Sequence, residues 1–333
     1  MKKINAAIIG MGIGEKHYEA LNGYKNTTVK TICENDKIKL KLLSKKYPKV
    51  KLVRDANEIF IDKTINLVSI ASYDDTHYKY VIKAIEKNKN IIVEKPMCLN
   101  IRQLNNIHRK INHSKKVKIV SNLVLRVNDL FLKFKKNIDA NKIFYIEADY
   151  LWGRKNKLSE WRSKIKDYTI TLSAAIHMFD LIMWFLKAKP LSVRALGSNK
   201  DNKDIKFKKE NLGIYILKFP KNIIVKVSVN TTGAFSHFHE VKIFQTNKTF
   251  INSIGGSFSF ESSKKKTKQK KIFSKYPDKV NRKKLIRNFL DHLNNEKIKP
   301  IITLKEQINL MTVCFSADKS MKSGKEIKIN YLK

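Results

Sequence analysis

Ile4-Asn5-Ala6-Ala7-Ile8-Ile9-Gly10-Met11-Gly12-Ile13-Gly14 decides the fold of this chain. A short apolar run bounded by glycine has the composition of a parallel strand covered on both faces. The glycines make a turn, and a helix over residues 15–21 follows it. Glycines let the backbone approach a pyrophosphate, and the free amides of a helix N-terminus attract one. Gly10, Gly12, Ile13 and Gly14 are therefore the first candidates for a dinucleotide site. The usual spacing puts the last glycine at Glu15, so this loop is one residue short. A second strand over 29–33 ends in Glu34, about twenty residues on. An acid there can accept from both ribose hydroxyls and repels a 2′-phosphate. Its charge favours NAD; Lys37 and Lys39 stand close enough to leave NADP open.

The same alternation continues outward. Helices are predicted over 37–46, over 78–87 and from Ile101, which Asn100 can cap, with strands over 50–53, 65–71, 90–93 and 117–121. Strands alternating with helices at this spacing imply a parallel sheet with helices on both faces, a doubly wound Rossmann domain over residues 1–122. After about residue 125 the pattern becomes period-two, as in 143–150, 212–219, 223–229 and 240–245. In Val225-Lys226-Val227-Ser228-Val229 one face is apolar and the other polar, as an antiparallel sheet wet on one side requires. Residues 123–333 thus read as an α+β domain with an open, mainly antiparallel sheet. The apolar stretch 170–186 contains His177 and Asp180 and reads as a buried helix rather than a membrane span.

Composition narrows the class. The net charge is +40, yet only nine of the 69 basic residues are arginine and the lysines are spread along the whole chain. That pattern is a solvated surface, not a specific nucleic-acid footprint, which favours arginine clustered on one face. The densest run, over 264–271, reads as a mobile loop. Three distant cysteines fit a reducing cytoplasm and argue against disulfides or a zinc cluster, so no metal is expected. The N-terminus has no signal-peptide pattern.

A second candidate stretch is Glu94-Lys95-Pro96, just past the apolar run Ile91-Ile92-Val93. Open α/β sheets place their chemistry at such strand ends. With His17, the segment Ile70-Ala71-Ser72-Tyr73-Asp74-Asp75-Thr76-His77 and Ile176-His177-Met178-Phe179-Asp180, this tripeptide completes four motifs in order. The chain resembles the glucose–fructose oxidoreductase / inositol dehydrogenase / MocA family over nearly its whole length.

The resemblance implies hydride transfer between NAD(P) and a ring hydroxyl of a sugar, nucleotide sugar or inositol, and assembly as a homodimer or homotetramer. It places the acid–base group at Lys95 and a second group on the same hydroxyl at His177, with Ser72, His77, Glu94 and Pro96 beside the cofactor. The family often carries an aspartate one helical turn before the histidine; here it is Ser173, expected to share a helix face with His177. Trp161, Arg162 and Arg126 are further substrate candidates, each with a structural alternative: core packing for the tryptophan, ion pairs for the arginines. Charge favours a phosphorylated or nucleotide-linked substrate. The competing class is a catalytically silent cofactor-binding sensor or complex subunit.

Overall fold

A computed structural model of the protein describes residues 2–114, 116–200, 202–203, 205–263, 266–274 and 276–332. The chain forms two compact units, one of Met1–Val124 with Val280–Ile308 and the other of Leu125–Lys279 with Asn309–Lys333.

The first unit opens with β1 (Ile4–Ile9), α1 (Gly14–Leu21), β2 (Thr27–Cys33), α2 (Lys37–Lys46), β3 (Lys51–Val53) and α3 (Asn57–Ile61). It continues with β4 (Leu67–Ile70), α4 (Asp74–Glu86), β5 (Asn90–Val93), α5 (Ile101–His113) and β6 (Ile119–Ser121). The six strands lie in the order β3-β2-β1-β4-β5-β6, all parallel, so the chain reverses its direction of winding between β1 and β4. Crevices at such a reversal are where doubly wound sheets bind ligands. Ile8, Val68, Ile91 and Ile92 are fully buried, as a strand covered on both faces requires.

Local chemistry sets the ends of these elements. Asp36 Oδ1 accepts from the Ile38 and Lys39 amides and starts α2, and Asn100 Oδ1 accepts from Gln103 and starts α5. The helix read over 78–87 begins four residues earlier, where Asp74 and Asp75 place negative charge in its first turn. Residues 280–308, read from sequence as part of the second domain, belong instead to this unit. Their helix α9 (Lys283–Asn294) packs on α1, and Asp291 is paired with Lys25 and accepts from Tyr24 Oη (3.2 Å).

The second unit contains α6 (Asp129–Asn137), β7 (Ile143–Leu151), the short α7 (Asn156–Ser159), α8 (Ile176–Leu186), seven strands β8–β14, most of α10 (Leu304–Ser323) and β15 (Ile327–Lys328). Those strands are Ser192–Ser198, Leu212–Lys218, Ile224–Asn230, Phe238–Gln245, Lys248–Ser253, Gly256–Ser262 and Thr267–Lys271. The nine-stranded sheet runs β14-β13-β12-β11-β7-β10-β9-β8-β15 and is antiparallel except where β7 meets β10. Val225, Val227 and Val229 face the core while Lys226 and Ser228 do not, as the alternation foretold. The lysine run is not a loop throughout: β14 is an exposed edge strand paired with β13, and Lys264 and Lys265 lie outside the described residues. Among the described residues no helix is long and apolar enough to cross a membrane.

The stretch read as one buried helix is divided. Thr171–Ala175 is a π-helical turn, in which the Ile176 amide reaches back to Thr171 O, and α8 follows it. A polar brace holds this turn. Thr169 Oγ1 donates to Asp318 Oδ2 (3.0 Å), and Thr171 Oγ1 lies 2.8 Å from the hydroxyl of the buried Tyr215. Burial pushes the Asp318 carboxyl up from 3.8 to about 6, against the threonine hydroxyls and Lys322, which pull it down. The folded state therefore holds a proton that the unfolded chain has lost. Stability from this group is fully present below pH 3.8 and is lost as pH rises through about 6. Asp318→Asn is expected to be stabler than wild type at pH 8 by up to about 3 kcal/mol and near equal at pH 4, measured by urea unfolding at both pH values.

Candidate active site

The carboxyl edge of the parallel sheet is built by one repeated device. The residue after each of five strands donates its amide to the last carbonyl of a neighbouring strand. Gly10 donates to Cys33 (2.9 Å), Glu34 to Val53 (3.0 Å), Ala71 to Ile9 (2.8 Å), Glu94 to Ile70 (2.8 Å) and Asn122 to Val93 (2.9 Å). The loops that follow start from fixed positions, and most of the candidate residues of this unit stand on them.

Gly10 has φ of +85°, and a Cβ there would fall 2.7 Å from the Ala71 carbonyl oxygen. Both the backbone conformation and the close approach require glycine. A Cβ at Gly12 would meet nothing within 4 Å. At Gly14 it would come within 3.1 Å of Ile8 Cγ2, so Gly14 lets α1 sit close on β1 although the loop is one residue short. Ile13 precedes α1, and no side chain caps the helix. Open space at Gly12, beside a helix start that no side chain caps, is what a pyrophosphate needs, so these residues fit a dinucleotide.

Glu34 is already engaged. Its Oε2 accepts from the Met11 amide (3.1 Å) and lies 3.0 Å from Lys39 Nζ, and its Oε1 accepts from the Asp36 amide (3.3 Å). Burial would raise this carboxyl, but the Lys39 ammonium and the two amides outweigh it and hold its pKa below the usual value.

Beneath the Glu94-Lys95-Pro96 segment lies a polar network. Glu94 Oε1 accepts from His17 Nε2 (2.9 Å) and from Asn122 Nδ2 (2.6 Å), and His17 Nδ1 meets Ser69 Oγ at 2.7 Å. His17 and Ser69 are fully buried and Glu94 nearly so. Burial alone would raise the Glu94 carboxyl; the His17 hydrogen bond and charge, Lys95 and Asn122 hold it at about 2 instead. The next residues are tied from the other side. The buried His77 places Nδ1 2.7 Å from the Pro96 carbonyl and Nε2 3.1 Å from the Ser72 carbonyl, linking the turn after β4 to the turn after β5. Ser72 Oγ pairs with Thr76 Oγ1 (2.6 Å). Lys95 is half-buried, and its bond to Pro96 is cis.

In the second unit Ser173 and His177 are both buried. The π-turn holds Ser173 and α8 holds His177, so the α-helical spacing that would put them on one face is interrupted between them. Arg126 is committed elsewhere: its Nε and Nη2 bind Asp180 at 2.7–3.1 Å, with the two side chains 3% and 2% exposed. That pair favours the ion-pair alternative for Arg126. Arg162 lies over the Trp161 ring at 4.2 Å and near Trp152 at 5.6 Å, so one face of Trp161 carries a guanidinium. Tyr150, at the end of the period-two stretch 143–150, lies in β7 opposite His239 of β11. Its hydroxyl meets His237 Nε2 at 2.9 Å, its ring stacks on His239 at 4.5 Å, and His177 lies 6.1 Å away. His237, His239, Asn122 and Ser69 carried no signal in the sequence beyond being polar within apolar surroundings.

The Glu94 network makes a test. The folded carboxyl titrates near 2 and the unfolded one near 4.5, so the pairing stabilises the fold above pH 4.5 and is lost as pH falls through about 2. Glu94→Gln is expected to lose about 3 kcal/mol at pH 7 and to flatten the acid limb of the pH–stability curve in that window, read by urea unfolding.

Residues 4–122 match the family described as "Oxidoreductase family, NAD-binding Rossmann fold", and residues 132–251 match "GFO/IDH/MocA C-terminal domain". YteT of Bacillus subtilis is 26% identical over 180 residues, which span 50% of this chain and 42% of that protein. An inositol 2-dehydrogenase of Acidothermus cellulolyticus is 21% identical over 256 residues, 74% of this chain and 72% of that protein. The crystal structure of scyllo-inositol dehydrogenase from Lactobacillus casei, with bound NAD(H) and scyllo-inositol, has a TM-score of 0.80 at 16% identity. That match covers 98% of this chain and 99% of that one, and its likeness is one of fold. With both domains matched in order, this chain belongs to the Gfo/Idh/MocA family of oxidoreductases and carries its NAD-binding Rossmann domain.

Proposed function

We propose that the chain is an NAD-dependent dehydrogenase acting on a ring hydroxyl of a sugar, nucleotide sugar or inositol, or on the corresponding ketone. The observation that carries this reading is the mounting of Lys95. Glu94 before it is held by His17 and Asn122, and Pro96 after it by His77, at the same sheet edge as the glycine turn. A lysine anchored on both sides is suited to proton transfer at a fixed point, because such catalysis depends on position before basicity. Relatives named as inositol dehydrogenases support the substrate class.

When bound, NAD supplies the hydride acceptor. Lys95 takes the hydroxyl proton as the carbon–hydrogen bond breaks, leaving a ketone, and returns it in the reverse direction. His177 hydrogen-bonds the same oxygen. Gly10, Gly12, Ile13 and Gly14 hold the pyrophosphate, Glu34 the adenosine ribose, and Ser72 and His77 the turn beside the nicotinamide. Residues 1–122 serve as the cofactor domain, with 280–308 part of the same unit, and the rest of the chain as the substrate and assembly domain, in a homodimer or homotetramer. The net charge of +40 favours an anionic substrate by raising its local concentration. A silent sensor of the same fold is the competing reading, supported by Ser173 standing where the resemblance leads one to expect an aspartate.

Absorbance at 340 nm is the direct test, with NAD and a panel of nucleotide sugars, free sugars and inositols. One substrate class is expected to give signal, and Lys95→Ala to lower kcat by roughly 10²–10⁴-fold with NAD binding retained. Turnover that survives Lys95→Ala overturns the role given to that lysine, and NAD binding without turnover on any member of the panel in either direction favours the sensor.

A further inference from the structure

The Glu34 carboxylate is the charge that should keep NADP out of this chain, and its charge is compensated. Lys39 Nζ lies 3.0 Å from Glu34 Oε2, the same oxygen that accepts from the Met11 amide, while Oε1 accepts from the Asp36 amide. An acid that bars a 2′-phosphate does so by repulsion. A cation in contact with it removes most of that repulsion at close range. The Lys39 side chain is 35% exposed on the first turn of α2, and its long stem lets the ammonium reach a second partner. Lys37, two residues earlier, is exposed. The first amides of α2 cannot take a phosphate in their place, since Asp36 Oδ1 already accepts from Ile38 (2.9 Å) and Lys39 (3.0 Å). Recognition of an anion at this corner therefore falls to a lysine side chain.

We propose that Lys39 makes the adenosine end of the site accept NADP as well as NAD, by pairing with the 2′-phosphate while it still neutralises the Glu34 carboxylate. With NAD, Lys39 stays on Glu34 and the carboxylate takes the ribose hydroxyls. With NADP, the ammonium lies between the carboxylate and the phosphate and pairs with both. This inference rests on the dinucleotide reading of the glycine turn and concerns cofactor choice only.

Binding, not turnover, tests it. Isothermal titration of the full-length protein with NAD and NADP is expected to give dissociation constants within about tenfold of each other. Adenosine 2′,5′-bisphosphate and 5′-AMP, titrated in parallel, isolate the contribution of the 2′-phosphate. Lys39→Ala should lower the preference for NADP relative to NAD by about ten- to a hundredfold, the worth of one charge-assisted hydrogen bond. Lys39→Arg should keep the wild-type ratio, and Glu34→Gln should shift the ratio toward NADP. NAD binding with NADP more than a hundredfold weaker overturns the inference and leaves the dehydrogenase reading standing, as does a ratio that Lys39→Ala does not move. Binding of neither cofactor overturns both.

Discussion

A carboxylate taken out of water must be repaid by partners, and the carboxyl edge of the parallel sheet is organised around one such debt. Glu94 lies against His17 and Asn122, with Ser69 behind the histidine. Breaking a pair of this kind leaves an uncompensated charge in a poorly hydrated place, which costs far more than the pair contributes when whole. The partners come from α1 and from β4, β5 and β6 or their ends. The network is complete only when those elements hold their register. Lys95 follows directly on Glu94, which these partners hold. His77 adds the second restraint, through the carbonyl of Pro96.

The second unit solves a similar problem with a different device. Arg126 and Asp180 of α8 neutralise each other, and the bidentate geometry fixes both planes. Thr169, Thr171, Asp318 and Tyr215 hold the π-turn that leads into α8. An extra residue in a helical turn leaves a backbone less regular than an α-helix, and such turns occur often at functional sites. Ser173 lies within that turn and His177 just beyond it.

The parallel half was legible from sequence because its signals are local. A short apolar run that ends in a glycine turn reads as a buried strand, and Asn100 caps its helix through the bond its side chain was expected to make. The placing of Gly10 was legible too, but the Ala71 carbonyl pressing on it was not. Long-range meetings left no trace in composition. Asn122 and His17 are 105 residues apart and meet because β6 lies beside β5. His239 faces Tyr150 through strand register, which a period of two cannot reveal without knowing the partner strand. The lysine run misled because its charge suits a loop, yet the same charge suits an edge strand that must not recruit another. The π-turn was hidden because apolar periodicity does not separate four residues per turn from five.

The return of α9 to the first unit has a consequence for how the protein is made. That unit is discontinuous in sequence: residues up to Val124 wait for Val280–Ile308 before α1 gains its packing partner and Asp291 reaches Lys25. At ~5–20 residues per second of synthesis, roughly ten seconds or more separate the emergence of the two pieces. Through that interval the nascent Rossmann unit lacks part of its cover, and the side of α1 that packs on α9 is open to other contacts. Maturation of the nucleotide-binding half is thereby tied to the emergence of residues 280–308, and a ribosome that stalls within the second unit leaves the first unfinished.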